Sequence, residues 1–179
     1  MFLASLRRHW WAQFVISGFW IGFFAGIGSR MNEIALALIR RFEGCRLRPY
    51  LCPAGIPTIG YGNTRYTDGR KVSIGDGPIG REEAEGLLQY ALMKVSRSVF
   101  RLCPVLMTED EGKQAGIFDF VFNLGSGNLQ ASTLRRRING KNWDEAAHEL
   151  RKWVYGGGRK LKGLIARRNV EASFFEEGQ

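Results

Sequence analysis

The sequence has few of the side chains that usually build metal or redox centres. It contains two histidines and three cysteines, and no two cysteines have the two-residue spacing of a zinc or redox motif. His9 and His148 lie far apart in the chain. We therefore expect neither a metal ion nor another cofactor to take part in its function.

Acidic residues are fewer than basic ones, which gives a formal net charge of +9 at neutral pH. Such a charge favours a polyanionic partner, which can be nucleic acid, anionic lipid or a cell-wall polymer, although it also serves solubility. The basic residues do not alternate with aromatic ones as in a nucleic-acid groove. Their densest cluster, at residues 134–141, has the pattern of a solvated helix face. The sequence thus argues against nucleic acid as the partner.

One long uncharged apolar run occurs, and it covers residues 10–28. At about 1.5 Å per residue, a helix of this length just crosses a bilayer core of about 30 Å. Arg7 and Arg8 precede it, which weakly favours an amino terminus in the cytoplasm and the rest of the chain outside. Three interpretations remain open: a cleaved signal peptide, a permanent anchor and a weak, releasable anchor. Interior glycines such as Gly18 and Gly22 weaken the helix and dilute its apolar surface, which favours the third.

The hydrophobic periodicity of the remaining chain predicts an α+β protein. Residues 33–43 form a predicted helix capped by Asn32. A Gly- and Pro-rich stretch at residues 48–80 predicts a small, irregular antiparallel sheet, and residues 81–102 predict a long amphipathic helix. Four further helices are predicted: one opened by a capping box at Thr108 and Glu111, one at residues 132–138, one from Asn142 through Tyr155 with Glu145 in a capping box, and one at residues 161–175.

This element order predicts a small sheet lobe, a long connecting helix and a helical lobe, with a transmembrane helix before them. We divide the chain into a membrane segment at residues 1–30 and one further domain at residues 31–179. A groove between the two lobes is the expected place for a substrate.

Glu43 is the one carboxylate in the segment from Phe42 to Thr64, and the next one along the chain is Asp68. Glycoside hydrolysis ordinarily uses one protonated carboxyl group and one carboxylate. An isolated glutamate therefore raises the question of its partner. A cysteine thiolate can help to activate water if its pKa is lowered or a base lies nearby, and Cys52 is close in sequence.

Several separate motifs resemble the phage lysozymes of the T4 type, a muramidase family. Glu43 is followed after eight residues by Cys52, after five more by Thr58, and then by "IGYG". The order continues with "FVFNLG", "STLRRRING", "NWDEAA" and "KWVYGGGRKLKGLIARRNVEASFF", so the resemblance covers about residues 32–176. The weak anchor resembles that of the signal-arrest-release endolysins of this family, which are held at the inner membrane and later freed into the periplasm.

The resemblance implies a lysozyme-like fold and an endolysin that hydrolyses the β-1,4 bond between N-acetylmuramic acid and N-acetylglucosamine in peptidoglycan, which lyses the host. Glu43 matches the general acid of the family, and Thr58 matches the threonine that helps to hold the attacking water. Cys52 occupies the position where many members have an aspartate. The resemblance further implies a cytoplasmic amino terminus, an inner-membrane anchor at residues 10–28, a periplasmic catalytic domain and a monomer after release.

Three more residues match positions that line the helical side of the family's cleft, namely Phe122, Asn123 and Thr133. They are our candidates for substrate binding. Each could equally serve as a core residue or a helix cap.

Cys45 and Cys52 suggest a regulatory disulfide. Oxidation would join them and draw Cys52 away from Glu43, because residues two apart on a helix point to different faces. The alternative is a permanent structural disulfide, with Cys52 not catalytic. Some family members exchange such a bond with a thiol in the anchor, but residues 10–28 contain no cysteine. Cys103 or an outside reductant would then be the exchange partner.

Two other classes of function stay open. A lytic transglycosylase needs a single acid/base glutamate, which fits the missing aspartate, although Thr58 and the order of the motifs argue for hydrolysis. A membrane-anchored wall-binding protein, or one that permeabilises the membrane, would not need Glu43 at all.

Overall fold

The computed structural model describes residues 33–176, and the predicted transmembrane segment at residues 10–28 lies outside this range, as does Asn32. Within residues 33–176, no helix combines the length and the apolar character that crossing a membrane requires. The first elements are helix α1 (residues 33–43), strand β1 (Arg46–Leu51), strand β2 (Pro57–Gly60) and the long helix α2 (Arg81–Leu102).

The remaining elements are mostly helical and contain one small hairpin. They are a 3₁₀ helix (Pro104–Thr108), α3 (Glu111–Leu124), α4 (Ser126–Ala131), α5 (Thr133–Asn139), α6 (Trp143–Leu150), β3 (Tyr155–Gly156), β4 (Arg159–Lys160) and α7 (Lys162–Glu176). Helix α7 packs against α3 and α6, and α2 packs against α3 and against β2. The α+β architecture predicted from the sequence is confirmed, with α2 joining the sheet segment to the helical part.

Strands β1 and β2 form an antiparallel pair with an irregular register. Tyr50 lies opposite Thr58, and Arg46 lies opposite Gly60, with a bulge between the two pairs. Directly opposed residues point to the same face of a sheet, so Tyr50 and Thr58 share a face. The predicted sheet at residues 48–80 is therefore confirmed in kind but is limited to two short strands.

Helix α2 has the bounds that its periodicity predicts. Its buried residues recur at helical spacing along one face: Ala84, Leu87, Leu88, Leu92 and Val99. Glu82 and Glu83 occupy the first turn and Arg101 the last, where each charge complements the helix dipole. The helix thus buries an apolar stripe and exposes a charged surface.

The core centres on α3, whose residues 114–121 are all buried. The Phe118 ring packs edge-on against Phe100 at a centroid distance of 5.5 Å, and Phe120 packs edge-on against Trp153 at 5.4 Å. Burial of each such side chain contributes roughly 1.5–3 kcal/mol. These contacts bring the end of α2, α3 and the segment after α6 into one core.

The predicted capping box at Thr108 is wrong. Thr108 ends the 3₁₀ helix, and its hydroxyl donates to the carbonyl oxygen of Val105 at 3.1 Å. Asp110 caps α3 instead, and its carboxylate accepts the amide N–H of Lys113 at 2.9 Å. A carboxylate caps as well as a hydroxyl does and also complements the helix dipole, so the helix starts after the aspartate.

Helix α6 is shorter than the sequence predicts, and Asn142 makes no side-chain cap. Glu145, expected in a capping box, pairs with Arg137 at 3.0 Å. The chain leaves the helix because the following residues form the β3–β4 hairpin. Gly157 and Gly158 connect its strands with φ of 58° and 77°, and positive φ at both central residues is what a two-residue type I′ turn requires.

Position 116 tests the packing of α3 against α7. A Cβ on Gly116 would lie 2.9 Å from the backbone oxygen of Glu171, so Gly116→Ala should lower the free energy of unfolding by about 1–3 kcal/mol. Gly86→Ala is the matched control, because the Cβ position of Gly86 in α2 has no neighbour within 4 Å. The control should stabilise by about 0.5–1 kcal/mol. Urea unfolding would measure both, and stabilisation by Gly116→Ala would contradict the close packing.

Candidate active site

Glu43 ends helix α1 and faces helix α7. Its Oε1 accepts a hydrogen bond from Nη1 of Arg167 at 2.6 Å, where the glutamate side chain is 25% exposed and the arginine side chain 5%. The other oxygen, Oε2, lies 4.0 Å from the position that a Cβ on Gly62 would take. One carboxylate oxygen is therefore held by the protein interior, and the other faces the sheet segment.

Arg167 is held in turn by Asp119 of α3, which is fully buried. Nε and Nη2 of the arginine donate to the two carboxylate oxygens of Asp119, each at 2.8 Å. This bidentate geometry gives the strongest kind of charge-assisted hydrogen bond. Burial disfavours the charge on Arg167, but Asp119 and then Glu43 outweigh it, and the pKa of Arg167 is raised. Arg167 therefore remains a cation against Glu43.

A second buried pair extends this network. Arg168 donates to Glu171 at 2.7 Å, and both side chains are fully buried. Burial raises the pKa of Glu171 well above its ordinary value, and the charge of Arg168 acts in the opposite direction. Arg168 also donates to Oδ1 of Asn123 at 3.1 Å. Asn123, a candidate for substrate binding, is thus fixed by the network through its side-chain oxygen.

Cys52 directly follows β1 and Thr58 lies in β2, and both bond to the turn between the two strands. The Thr58 hydroxyl donates to the carbonyl oxygen of Ile56 at 2.9 Å, and the Cys52 amide donates to the same oxygen at 3.1 Å. The pKa of the Cys52 thiol is lowered, chiefly because backbone N–H groups at Ile56 and then Ala54 stabilise the thiolate, with a smaller contribution from the Thr58 hydroxyl. The pKa of the thiol next to Thr58 is therefore shifted in the direction that a thiolate requires.

Tyr50 lies near both Glu43 and Cys52. It is opposite Thr58 in the sheet, and the Arg46 guanidinium lies 4.5 Å from the centre of its ring. Burial has the largest effect and raises the pKa of Tyr50; Arg46 lowers it, and the charges of Glu43 and Cys52 raise it further. The charges of Glu43 and Cys52 both act on the phenol of Tyr50. The predicted acid and the predicted water-activating thiol therefore lie in one region.

Gly62 also forms part of the lining of a groove with a cavity of about 290 Å³, whereas Glu43, Cys52 and Thr58 do not line it. Phe122, another candidate for substrate binding, also lines it, whereas Asn123 and Thr133 do not. The Thr133 hydroxyl accepts a hydrogen bond from Arg136 at 2.9 Å. The structure therefore brings one of the three candidates to this groove.

All three cysteines are free thiols in this structure. Cys45 immediately precedes β1 and Cys52 immediately follows it. At about 3.3 Å per residue, the strand keeps their Cα atoms roughly 20 Å apart, whereas a disulfide requires about 7 Å or less. The predicted Cys45–Cys52 bond is therefore incompatible with β1 as it is formed here.

Cys45 and Cys103 occupy unrelated environments. Cys45 lies against Tyr61, whose hydroxyl donates to Glu85. That hydrogen bond has the largest effect, and together with burial and a smaller contribution from Cys45 it raises the pKa of Tyr61 to about 12. Cys103 is fully buried, and burial raises its pKa to about 12. Among residues 33–176, no group of three or more His, Cys, Asp or Glu side chains is placed to hold a metal ion.

Three residues of this site were not predicted from the sequence: Arg167, Asp119 and Tyr50. Glu43 and Arg167 are 124 positions apart in the chain, and local sequence motifs carry no information on so distant a contact. Asp119 did give a signal, because it is a lone charge in the apolar run "GIFDFVF". Such a residue is seldom buried without an ionic partner, and that rule could have pointed to an arginine.

Comparison with known proteins gives consistent matches over most of the chain. Residues 40–171 match the model of a family described as phage lysozyme. The chain is 36% identical to the SAR-endolysin of Bacteriophage PS34, over 76% of this chain and 78% of that protein. It is 32% identical to the SAR-endolysin of Enterobacteria phage PA-2, over 87% and 93%. The solved endolysin from Escherichia coli O157:H7 phage FAHEc1 has a TM-score of 0.71 at 31% identity, over 82% of this chain and 92% of that one.

The three thiols should differ in their reactivity with iodoacetamide near neutral pH. Cys52 should react fastest, because its thiol is partly exposed and its pKa is lowered. Cys103 should stay unmodified, since it is buried with a pKa of about 12.

On acidification, Cys52 should keep its reactivity to a lower pH than a free cysteine does, because its thiolate persists below the ordinary pKa. Peptide mass spectrometry after timed quenching would give the order, and urea-denatured protein is the control. Rapid modification of Cys103 in the folded protein would contradict the assignment.

Proposed function

The chain belongs to the phage lysozyme family, and from this premise we propose how its residues carry out the reaction. It is a phage endolysin, a glycosidase of the lysozyme type that degrades peptidoglycan. The observation that carries the proposed mechanism is the placement of Glu43, whose Oε1 is held by Arg167 and whose Oε2 lies on the side of Gly62, a residue that lines the groove. We take the scissile bond to be the β-1,4 bond between N-acetylmuramic acid and N-acetylglucosamine.

Glu43 is the proton donor in this mechanism. Arg167 occupies Oε1 at 2.6 Å, which leaves Oε2, on the side of Gly62, to carry the proton. The proton passes to the glycosidic oxygen as its bond to the anomeric carbon breaks. Glu43 becomes a carboxylate in this step, and the charge of Arg167 stabilises the product form.

Cys52 and Thr58 act on the attacking water. The Cys52 thiolate accepts a proton from the water while the water oxygen bonds to the anomeric carbon on the face opposite the leaving group. The Thr58 hydroxyl orients the water, and the proton on Cys52 later returns to solvent. The lowered pKa of Cys52 supports this role, because it supplies the anion that a second carboxylate supplies in most glycosidases.

Substrate contacts on the helical side complete the proposed site. The Phe122 ring packs against the sugars, since it lines the groove that Gly62 also lines. Asn123 acts through its amide nitrogen, because Arg168 holds its oxygen. Thr133, which like Asn123 does not line the groove, contacts the substrate beyond it through its hydroxyl at the start of α5.

The amino-terminal segment determines where the enzyme acts. Residues 10–28, within a membrane segment at residues 1–30, hold the catalytic domain at residues 31–179 on the periplasmic side of the inner membrane, with the amino terminus in the cytoplasm. Release of this weak anchor delivers a monomer to the peptidoglycan. The SAR-endolysin relatives and the uncharged apolar run support this step, and the net charge of +9 favours docking on anionic wall or lipid surfaces.

A Cys45–Cys52 disulfide keeps the enzyme inactive until it is reduced. Its formation removes the Cys52 thiolate and requires β1 to come apart, which also separates Cys52 from Thr58. Cys103 is too deeply buried to attack this bond, and its pKa of about 12 leaves almost no thiolate. We therefore assign the activation step to an external dithiol, whose two thiols are oxidised to a disulfide while both cysteines become thiols.

Glu43→Gln tests the proton donor. With the full chain under reducing conditions, this change should lower the rate of peptidoglycan cleavage by about 10²–10⁴-fold, because the amide cannot donate the proton. Glu33→Gln at the other end of α1 is the matched control and should keep the rate. Mass spectrometry of the fragments should find hydrated muramic-acid ends. Anhydro ends, lighter by one water, would show a transglycosylase and remove the need for a water held by Cys52.

Cysteine substitutions test the redox step. The oxidised full chain should be inactive until a reductant is added, whereas Cys45→Ser should be active without one, because Cys52 then has no partner. Cys52→Ser should lose activity under both conditions, and Cys103→Ser should behave like the unchanged chain. Lysis rates of permeabilised cells with and without reductant would measure this. Full activity of Cys52→Ser would exclude a catalytic thiol, and activity of the oxidised chain would exclude the disulfide switch.

A further inference from the structure

Glu85 of α2 is a carboxylate that the proposed reaction does not use, and it binds both sides of the candidate site. Nη2 and Nε of Arg40 donate to its Oε2 at 2.8 Å and 3.1 Å, and the hydroxyl of Tyr61 donates to its Oε1. Arg40 lies in α1, three residues before Glu43, and the buried Tyr61 directly follows β2. Glu85 therefore connects the helix that carries the proton donor to the strand that carries Thr58.

The loop after β2 is closed on itself, so a displacement of Tyr61 is transmitted to the strand. Ile59 and Asn63 exchange two backbone hydrogen bonds, each at 2.9 Å, and Tyr61 and Gly62 lie between them. A loop whose two ends are bonded to each other moves together with the strand that it follows. The bond from Tyr61 to Glu85 therefore affects the position of β2 and of Gly62.

The two sides that Glu85 binds meet at the proton donor. Oε2 of Glu43 lies 4.0 Å from the position that a Cβ on Gly62 would take, and Tyr61 is the residue before Gly62. Hydrolysis with inversion needs a gap of about 6.5–9.5 Å between the proton donor and the group that acts on the water. In the proposed mechanism the donor ends α1 and Thr58 orients the water from β2, so the spacing of α1 and β2 sets this gap. A displacement of about 1 Å in such an arrangement can lower the rate by about 10²-fold.

We propose that Tyr61 and Glu85 are positioning residues, which hold β2 and the loop after it at the distance from Glu43 that the attacking water requires. The inference rests on the proposed function. Neither residue lines the groove, so both act through α1 and β2. The hydrogen bond from Arg40 has the largest effect on Glu85 and lowers its pKa, while the pKa of Tyr61 is raised to about 12. At neutral pH Glu85 therefore stays an acceptor and Tyr61 a donor.

Tyr61→Phe tests the inference, because it removes only the hydroxyl that Glu85 accepts. With the full chain under reducing conditions and soluble peptidoglycan fragments as the substrate, kcat should fall by about 10-fold, while KM should stay within about twofold. The loss is smaller than a full 1 Å displacement would cause, because α2 still packs against β2. Glu85→Gln should give a similar loss, since the amide has one acceptor oxygen in place of two. The double variant should lose no more than Glu85→Gln alone, because both changes break the same contact.

Asp76→Asn is the matched control for Glu85→Gln. Asp76 also accepts a tyrosine hydroxyl and an arginine, from Tyr66 and Arg70, each at 3.0 Å, and its side chain is 19% exposed compared with 26% for Glu85. Its partners all lie within residues 66–76, so this network does not connect the sheet segment to α1 or α2. The control should lower the midpoint of urea unfolding about as much as Glu85→Gln does and keep kcat.

Unchanged kcat in Tyr61→Phe, with or without a change in KM, would overturn the inference. So would a loss of kcat in Asp76→Asn that matches that of Glu85→Gln, because loss of local stability would then explain both. Additive losses in the double variant would show that Tyr61 does not act through Glu85. If the unchanged chain leaves the fragments intact, or if Glu43→Gln keeps the full rate, the proposed function fails together with the inference.

Discussion

The buried guanidinium of Arg167 holds the helical core and the candidate active site in one arrangement. It bonds Asp119 with two of its nitrogens and Glu43 with the third, so a residue of α7 ties α3 to the end of α1. An uncompensated charge in the interior costs several kcal/mol, and the two carboxylates together compensate that of Arg167. The position of Glu43 is therefore set by the helical part of the fold, although its free oxygen faces the sheet segment.

Most helices could be predicted from the sequence, and α2 most directly, because its apolar residues recur at helical spacing. Prediction failed at ends where several groups compete for one role. Asp110 replaced Thr108 as the cap of α3, and the turn at Gly157 and Gly158 drew the end of the predicted α6 into a hairpin. These outcomes depend on tertiary packing and on backbone conformation, which local patterns record only in part.

The candidate site also contains residues that local sequence motifs predict and residues whose role depends on tertiary packing. Motif order located Glu43, Cys52 and Thr58, because they lie in one short segment. Motif order did not predict Arg167, because its contact with Glu43 depends on how distant helices pack. Nor could it show that backbone N–H groups lower the pKa of Cys52, since the conformation of the turn after β1 creates that effect and no side-chain motif encodes it.

Strand β1 separates Cys45 from Cys52, so its pairing with β2 and a bond between the two sulfurs exclude each other. Two mutually exclusive states are thermodynamically linked, and the stability of one enters the equilibrium constant of the other. Each kcal/mol that β1–β2 pairing adds to the folded state raises the midpoint potential of the disulfide by about 20 mV and makes it easier to reduce. The pairing of Tyr50 with Thr58 would thus help to set the reducing strength at which the proposed disulfide opens, with no contact to either sulfur.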